Sequence, residues 1–207
     1  MADAMSSFDL VETMPFDPRE GIVDLEFHLA NMKASAEALG FAFDRHDARN
    51  ELQAATFRSR EPKMLRLLLS PTGAIAIESR ALPPPPDEPV SIMLRPLPIA
   101  EDDVRLRHKT TDNRPFDAAR REAGAYEVLF VDADGWLGRG SFTNLFVERD
   151  GTLLTPPLGR PMFASVLRQR LIADGHAREA DLKREDLDGP FQIGNAMLGL
   201  VGARLVT

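Results

Sequence analysis

Apolar residues in the first third of the chain recur with the spacing of helices. Five of them follow Asp24 at steps of four, three, four and three: Leu25, Leu29, Met32, Ala36 and Leu39. This spacing predicts a helix from Asp24, a suitable N-cap, to Leu39, with Gly40 as its stop. A second helix is predicted over residues 44–58. Its apolar members include Leu52, Ala55 and Phe57.

Shorter apolar stretches bounded by Pro, Gly, Asn or Asp predict strands. They lie at Phe8–Met14, Met64–Leu69, Ala74–Ile77, Val90–Leu97, Tyr126–Val131, Trp136–Leu137 and Leu145–Val147. Pro15–Gly21 and Ser70–Gly73 are predicted as turns, the latter closing a hairpin. Helices are predicted at Pro115–Ala123 and Val166–Ala173, and the tail Phe191–Val206 is predicted as strand and turn. The pattern is that of a mixed α and β protein.

Four consecutive prolines, Pro83–Pro86, divide the chain. Proline cannot continue a helix or the interior of a sheet, and a run of prolines favours polyproline II. We therefore expect a small N-terminal α/β unit over residues 1–82, a linker over 83–89 and a C-terminal unit over 90–207. The alternative is a long surface loop within one domain.

Composition excludes several classes of function. The net charge of −7 argues against general nucleic-acid binding, which needs a basic surface. The absence of cysteine excludes disulfides, thiolate nucleophiles and cysteine-ligated metals. No apolar run approaches the roughly 20 residues of a membrane span, and Met1–Ser7 lacks the features of a signal peptide. We expect a soluble, cytoplasmic protein without nucleic-acid or membrane partners.

Common catalytic motifs are missing, and one lysine stands out. The sequence has no phosphate-binding loop, no dinucleotide fingerprint and no nucleophile elbow, and its four histidines lack metal-ligand spacing. Arg105, Arg107 and Lys109 share one face if their segment is extended. Neighbouring cations disfavour a further positive charge, which favours a lysine nucleophile. The alternative is a solvated basic edge.

The segment His108–Thr111 resembles the cofactor-lysine segment of class IV pyridoxal-phosphate enzymes. These are the branched-chain and D-amino acid aminotransferases and aminodeoxychorismate lyase. Further segments resemble the family in the same order: Phe8–Met14, His28–Leu29, Lys33–Ala36, Glu127–Leu129, Gly140–Phe146, Leu154–Leu158, Val166–Arg168 and Gly194–Ala196. The resemblance spans about residues 8 to 204. It implies the two-domain α+β fold of these enzymes, shortened at the N-terminus, and a homodimer.

The resemblance also implies site residues and a reaction. Lys109 would hold pyridoxal phosphate through a Schiff base and then act as general base and acid at the α-carbon of the substrate. The phosphate would be bound by Asn195 and Ala196 and by backbone N–H groups of Val166 and Leu167, at a helix N-terminus for which Ser165 is the predicted N-cap. The substrate would be an amino acid, for transamination, or aminodeoxychorismate, for elimination of pyruvate.

The chain departs from the family at several of these positions. Asn31 stands where relatives have an arginine that binds the phosphate, and Arg107 is a candidate replacement. Arg139 stands where relatives have a glutamate that pairs with the pyridine nitrogen, and we expect it to face the ring. Phe116 replaces a tyrosine, and Leu198 replaces an arginine. Two of the three charged cofactor partners are thus changed.

Three hypotheses follow. The first is a pyridoxal-phosphate enzyme, an aminotransferase or an aminodeoxychorismate lyase, that depends on Lys109. The second is a catalytically degenerate member that keeps the fold and binds a small anion or a protein partner without pyridoxal phosphate. The third is a pyridoxal-independent enzyme that uses Arg105, Arg107 and Lys109 for an acidic substrate.

Overall fold

The computed structural model describes residues 8–206, so the prediction made for Met1–Ser7 lies outside the described residues. The chain forms two compact units. The first contains the residues up to Pro84 together with His108–Asp112, and the second contains Pro85–Arg107 and the residues from Asn113 onwards. The Pro83–Pro86 run has no regular secondary structure. The lysine segment therefore belongs to the first unit, although it follows the proline run in sequence.

The first unit is an antiparallel sheet with two helices. Its elements are β1 (Leu10–Asp17), β2 (Gly21–Ile22), α1 (Leu25–Leu39), α2 (Arg45–Thr56), β3 (Lys63–Leu69) and β4 (Ile75–Ala81). The strand order is β2-β1-β3-β4. Leu10 and Met14 lie on the same face of β1 and pack against Leu29 and Met32 of α1. This is the core that the helical spacing predicted.

Local signals set the ends of these elements. Gly40 ends α1 in the left-handed conformation, with φ 73°, which glycine adopts without strain. The Asp44 carboxylate accepts the backbone N–H groups of His46 and Asp47 and so caps α2. Gly73, with φ 92°, closes the β3–β4 hairpin. The predicted stop at Gly40 and the predicted hairpin are confirmed. The predicted N-cap of α1 is wrong in its chemistry, because Asp24 has left-handed backbone, with φ 53°, and its side chain makes no capping hydrogen bond.

The second unit is built on an eight-stranded mixed sheet. Its elements are β5 (Val90–Pro96), α3 (Arg114–Ala123), β6 (Glu127–Val131), β7 (Leu137–Gly140), β8 (Asn144–Arg149), β9 (Thr152–Thr155), α4 (Val166–Ala173), β10 (Ala177–Glu179), β11 (Phe191–Asn195) and β12 (Gly199–Leu205). The strand order is β10-β9-β8-β11-β12-β5-β6-β7. Strand β5 pairs in parallel with both β12 and β6.

Helices cover parts of this sheet. Phe116 of α3 packs with Val128 and Phe130 of β6, while Leu129, on the opposite face of the strand, belongs to a separate cluster. Burial on both faces explains why β6 reads as a continuous apolar run. Leu167 of α4 packs on Phe146 of β8.

Several expectations were wrong. Strand β1 continues through Pro15, which pairs with Met64, so the predicted turn begins only after Asp17. Phe57 is not a buried helix residue: it is the C-cap of α2 and is 85% exposed. The short strands β2, β9 and β10 were not predicted, because two to four residues carry too little pattern.

None of the helices within residues 8–206 is both long and apolar enough to cross a membrane.

Candidate functional site

The backbone of the lysine segment is held against the start of β1. The N–H of Val11 donates to the Lys109 carbonyl at 3.0 Å, and the N–H of Thr111 donates to the Asp9 carbonyl at 2.8 Å. The Asp9 N–H donates to the Thr111 hydroxyl at 3.0 Å. Lys109 is half-buried. Its position is thus set by an antiparallel pairing, like that of a strand residue, rather than by a free loop.

Helix α1 contacts the same segment. Nδ1 of His108 lies 3.0 Å from the Ser35 hydroxyl, which ties the residue before Lys109 to the helix. Asn31 is four residues before Ser35 and therefore lies on the same helix face, one turn away. The structure thus places Asn31 on the helix face that binds the lysine segment.

A buried pair in the first unit was missed by sequence reasoning. Oε2 of Glu12 lies 2.6 Å from Nδ1 of His28, and both residues are buried. Nε2 of His28 is buried and has no hydrogen-bond partner among the described residues. The sequence could have indicated that Glu12 is buried, since it lies on the same face of β1 as Leu10 and Met14. The Glu12–His28 contact joins α1 to β1.

The N-terminus of α4 is shaped to receive an anion. The Ser165 hydroxyl accepts the Arg168 N–H at 3.3 Å and caps the helix, as predicted. Val166 and Leu167 are the first two helical residues, whose N–H groups have no partner within a helix. The helix dipole adds partial positive charge at this end.

The turn between β11 and β12 lies beside this helix end. A Cβ added to Gly194 would stand 2.6 Å from Cδ2 of Leu167 and even nearer the Gly199 carbonyl, so β11 and α4 approach closely. Oδ1 of Asn195 accepts the N–H groups of Met197 at 2.8 Å and Leu198 at 3.0 Å. This side-chain cap holds residue 196 at the tip of the turn. Leu167 thus lies against β11 at Gly194, next to the turn that Asn195 caps. Binding of a phosphate by Val166, Leu167, Asn195 and Ala196 stays a prediction.

Arg139 is enclosed by the protein. It is only 3% exposed, and its guanidinium donates to the carbonyls of Gly140 at 2.9 Å, Arg105 at 2.7 Å and Ser141 at 3.0 Å. The guanidinium also lies over the Phe116 ring, 4.2 Å from its centroid, and over the Phe163 ring, 4.5 Å from its centroid. Burial lowers the pKa of Arg139 to about 10, so it is a cation at neutral pH.

Glu127 is a second buried ionisable residue near Arg139, and sequence reasoning gave it no role. Oε1 accepts the N–H groups of Val128 and Ser141 and the Ser141 hydroxyl. Oε2 accepts the Phe142 N–H at 3.1 Å and the Thr143 hydroxyl at 2.8 Å. Burial raises the pKa of the Glu127 carboxyl, and these hydrogen bonds oppose the rise. A glutamate at the start of a buried apolar strand was the available signal.

The prediction that the segment from Arg105 to Lys109 is extended is wrong over its first residues. Arg107 therefore does not share a strand face with Arg105. Residues Val104–Leu106 form a single 3₁₀ turn capped by Asp103, whose carboxylate also binds the Arg105 guanidinium at 2.7 Å. The local side-chain hydrogen bonds of Asp103 favour this turn over extended backbone. Arg107 is exposed, and its guanidinium donates to the Leu158 carbonyl at 2.9 Å.

Pyridoxal phosphate, the cofactor that the resemblance implies, fits part of these residues. The backbone donors of α4 and of the neighbouring turn, all in the second unit, suit its phosphate. Lys109, in the first unit, carries an amine of the kind that forms a Schiff base. No carboxylate stands at position 139 to pair with the ring nitrogen. The donors of the second unit therefore suit a phosphate group whatever the ring partner is.

Comparison with protein families identifies one match over nearly the whole chain. Residues 9–204 match the family described as amino-transferase class IV. A protein of Schizosaccharomyces pombe with the provisional name aminodeoxychorismate lyase is 24% identical over 199 residues, which cover 91% of this chain and 85% of that protein.

Solved structures share the fold. One with the provisional name amino-acid aminotransferase, from Mesorhizobium loti, is 32% identical, covers 97% of this chain and 100% of that chain, and has a TM-score of 0.89. A hypothetical aminotransferase from Mycobacterium tuberculosis, solved in a form with bound pyridoxal phosphate, is 22% identical, covers 95% of this chain and 81% of that chain, and has a TM-score of 0.82.

Proposed function

Since the chain belongs to the amino-transferase class IV family, we propose that it is a pyridoxal-phosphate-dependent enzyme acting on an amino acid or on aminodeoxychorismate. One observation carries the proposal. The two elements that suit a phosphate, the capped N-terminus of α4 and the turn at Asn195–Ala196, lie side by side in the second unit. The similarity to the Mesorhizobium loti protein, over almost all of both chains, supports it.

Each residue has a definite task in this proposal. The Lys109 amine holds the cofactor and later moves a proton at the α-carbon of the substrate. The Val166 and Leu167 N–H groups donate to the phosphate, and Asn195 shapes the turn that presents Ala196. Pyridoxal phosphate, when bound, withdraws electrons from the α-carbon. Arg107 is not assigned to the phosphate, because its guanidinium binds the Leu158 carbonyl.

Two reactions are tested side by side with purified protein and added pyridoxal phosphate. The first assay supplies a panel of D- and L-amino acids with a 2-oxo acid and follows amino transfer. The second supplies aminodeoxychorismate and follows 4-aminobenzoate and pyruvate. Activity in either assay identifies the reaction.

The assays include a lysine control. Lys109→Ala should lower the rate about a thousandfold or more, because the residue acts in several steps. Lys33→Ala, which removes a lysine that is 56% exposed on α1, should leave the rate unchanged. An active Lys109→Ala variant would contradict the proposal. A folded wild type that takes up no pyridoxal phosphate would instead favour the degenerate member that binds another anion or a protein.

A further inference from the structure

Arg139 connects three parts of the second unit. Its guanidinium is hydrogen-bonded to carbonyls at the end of β7, in the loop that follows, and at Arg105. The planar fork of an arginine can reach such diverging acceptors, which a lysine ammonium cannot reproduce with the same geometry. These contacts engage Nε, Nη1 and Nη2, so the guanidinium is fixed from every side.

Arg139 also holds the loop that leads into α4. Its backbone N–H donates to the Pro161 carbonyl at 3.1 Å, and its guanidinium lies over the Phe163 ring. The neighbouring Gly138 permits this approach, because a Cβ there would stand 2.6 Å from the Pro161 carbonyl oxygen. The chain reaches the Ser165 cap two residues after Phe163. The Arg139 side chain thus contacts, through Phe163, the loop that leads to the α4 N-terminus.

Glu127 holds the opposite loop. Its carboxylate accepts the backbone N–H groups of Ser141 and Phe142 and the hydroxyls of Ser141 and Thr143. The Phe142 carbonyl in turn accepts Nδ2 of Asn195 at 3.1 Å. The turn at residues 195–198 is therefore supported by Glu127 through a single intervening loop.

The two charges are also electrostatically linked. Glu127 and Asp117 stabilise the buried Arg139 cation, which compensates part of the cost of its burial. Arg139 and Glu127 both bind the Ser141 backbone, one at the carbonyl and one at the N–H group. They act on the same loop from two sides.

We propose that Arg139 and Glu127 form a buried charged centre that positions both phosphate-binding elements, so that Arg139 acts through the loops and does not itself contact the cofactor. The proposal rests on the proposed function for the identity of the anion. This role differs from the expectation that Arg139 faces the pyridine ring. A glutamate at position 139 could not fill it, because it would add a second buried carboxylate near Glu127.

Three probes separate the two roles of Arg139. They are inorganic phosphate, pyridoxal phosphate and pyridoxal, which lacks the phosphate, and each is titrated calorimetrically into the wild type and its variants. In Arg139→Met, we expect affinity for both phosphate-bearing probes to fall about tenfold or more, because displaced donors lose hydrogen-bond geometry. Affinity for pyridoxal should not change. Arg139→Lys, which keeps the charge, should restore part of the loss.

The control is Arg121→Met on α3, which removes an exposed arginine and should change none of the affinities. Circular dichroism checks that each variant is folded at the titration temperature, and Arg139→Lys serves if Arg139→Met is not. In the Glu127→Gln background, Arg139→Met should lower the affinity for the phosphate-bearing probes by a smaller factor than in the wild type, since the charged centre is already broken.

Each other outcome has a defined meaning. An equal loss for pyridoxal and pyridoxal phosphate, with inorganic phosphate unaffected, would overturn the inference and place Arg139 against the ring. Wild-type protein that binds neither phosphate-bearing probe would also overturn it. Wild-type protein that binds inorganic phosphate but not pyridoxal phosphate would refute the proposed function, while the phosphate titrations of the variants would still decide the role of Arg139.

Discussion

At the scale of single residues, a buried Glu–His contact and an exposed Lys–Glu ion pair are expected to respond very differently to substitution. Glu12 and His28 are joined at 2.6 Å with side-chain exposures of 7% and 1%, whereas Lys33 and Glu37 are 3.6 Å apart and largely exposed. Removing one member of a buried pair leaves its partner uncompensated. Removing one member of a surface pair has little effect, because water screens the charges.

The His28→Ala variant should therefore lose about 3–5 kcal/mol of unfolding free energy, since it leaves Glu12 buried without its partner. Urea denaturation at neutral pH measures the change. Lys33→Ala is the matched control on the same helix and should change the free energy by less than about 0.5 kcal/mol. Equal effects of the two substitutions would show that the Glu12–His28 contact does not stabilise the first unit.

Glu127 makes a prediction about pH. Burial raises the pKa of its carboxyl above the usual 4.5, so the folded protein keeps this proton to a higher pH than the unfolded chain does. The stabilisation from this proton is complete below pH 4.5 and is lost as pH rises through the folded pKa. The stability of the wild type relative to Glu127→Gln should thus fall with rising pH.

Urea titrations between about pH 4 and pH 8 test the sign of this dependence. Glu148→Gln, which changes an exposed carboxylate on β8, is the control for general effects of charge removal. A wild type whose advantage over Glu127→Gln grows as pH rises would contradict the stated direction.

The residues of the candidate site differ in how far sequence could predict them. Ser165 was correctly predicted as an N-cap because capping depends on neighbours along the chain. Glu127 and Arg139 bind groups up to 34 residues away, so their surroundings depend on the tertiary fold. Resemblance to relatives gave Arg139 a ring-facing role, whereas our proposal that it positions loops rests on the hydrogen bonds of its guanidinium.

At the scale of elements, the helices and strands that were predicted most closely are those with turn or cap residues at their ends. The β3–β4 hairpin and helix α4 were predicted closely, since each has turn or cap residues at its ends. The segment before Lys109 was predicted as extended, but Asp103 caps a 3₁₀ turn there. Alternating basic residues predict a strand only weakly, because their burial does not stabilise one face of a sheet.

The contact between β11 and α4 makes a prediction at this scale. Gly194→Ala should force Leu167 or the Gly199 carbonyl to move, which costs about 1–3 kcal/mol of stability. It should also weaken binding of inorganic phosphate, because the N-terminus of α4 and the turn at residues 195–198 would both shift. Gly189→Ala is the matched control, since an added Cβ there meets nothing within 4 Å. Unchanged phosphate affinity in Gly194→Ala would separate this contact from the anion site.

At the scale of the whole molecule, the chain returns to its first unit after entering the second. Residues His108–Asp112 join the first unit, while Pro85–Arg107 and the residues from Asn113 belong to the second. A linear division at the proline run could not predict this return, because composition marks where a chain leaves a unit and not where it comes back. The pairing of Thr110 with Leu10 is what brings the lysine segment there.

Assembly is a further prediction at this scale. By resemblance to class IV enzymes, the protein is expected to be a homodimer. Sedimentation equilibrium should then give a mass twice the 22.9 kDa of the chain at micromolar concentration. A mass of one chain at all concentrations would contradict this expectation.

The central claim is that Lys109 holds pyridoxal phosphate, and the most direct test is to locate the lysine that binds it. Purified protein is mixed with pyridoxal phosphate, its absorption spectrum is recorded, and borohydride reduction makes the lysine–cofactor bond permanent before peptide mapping. We predict a visible absorption band and label on Lys109 alone, with Lys109→Ala unlabelled. No band, with label scattered over exposed lysines such as Lys33, would contradict the claim.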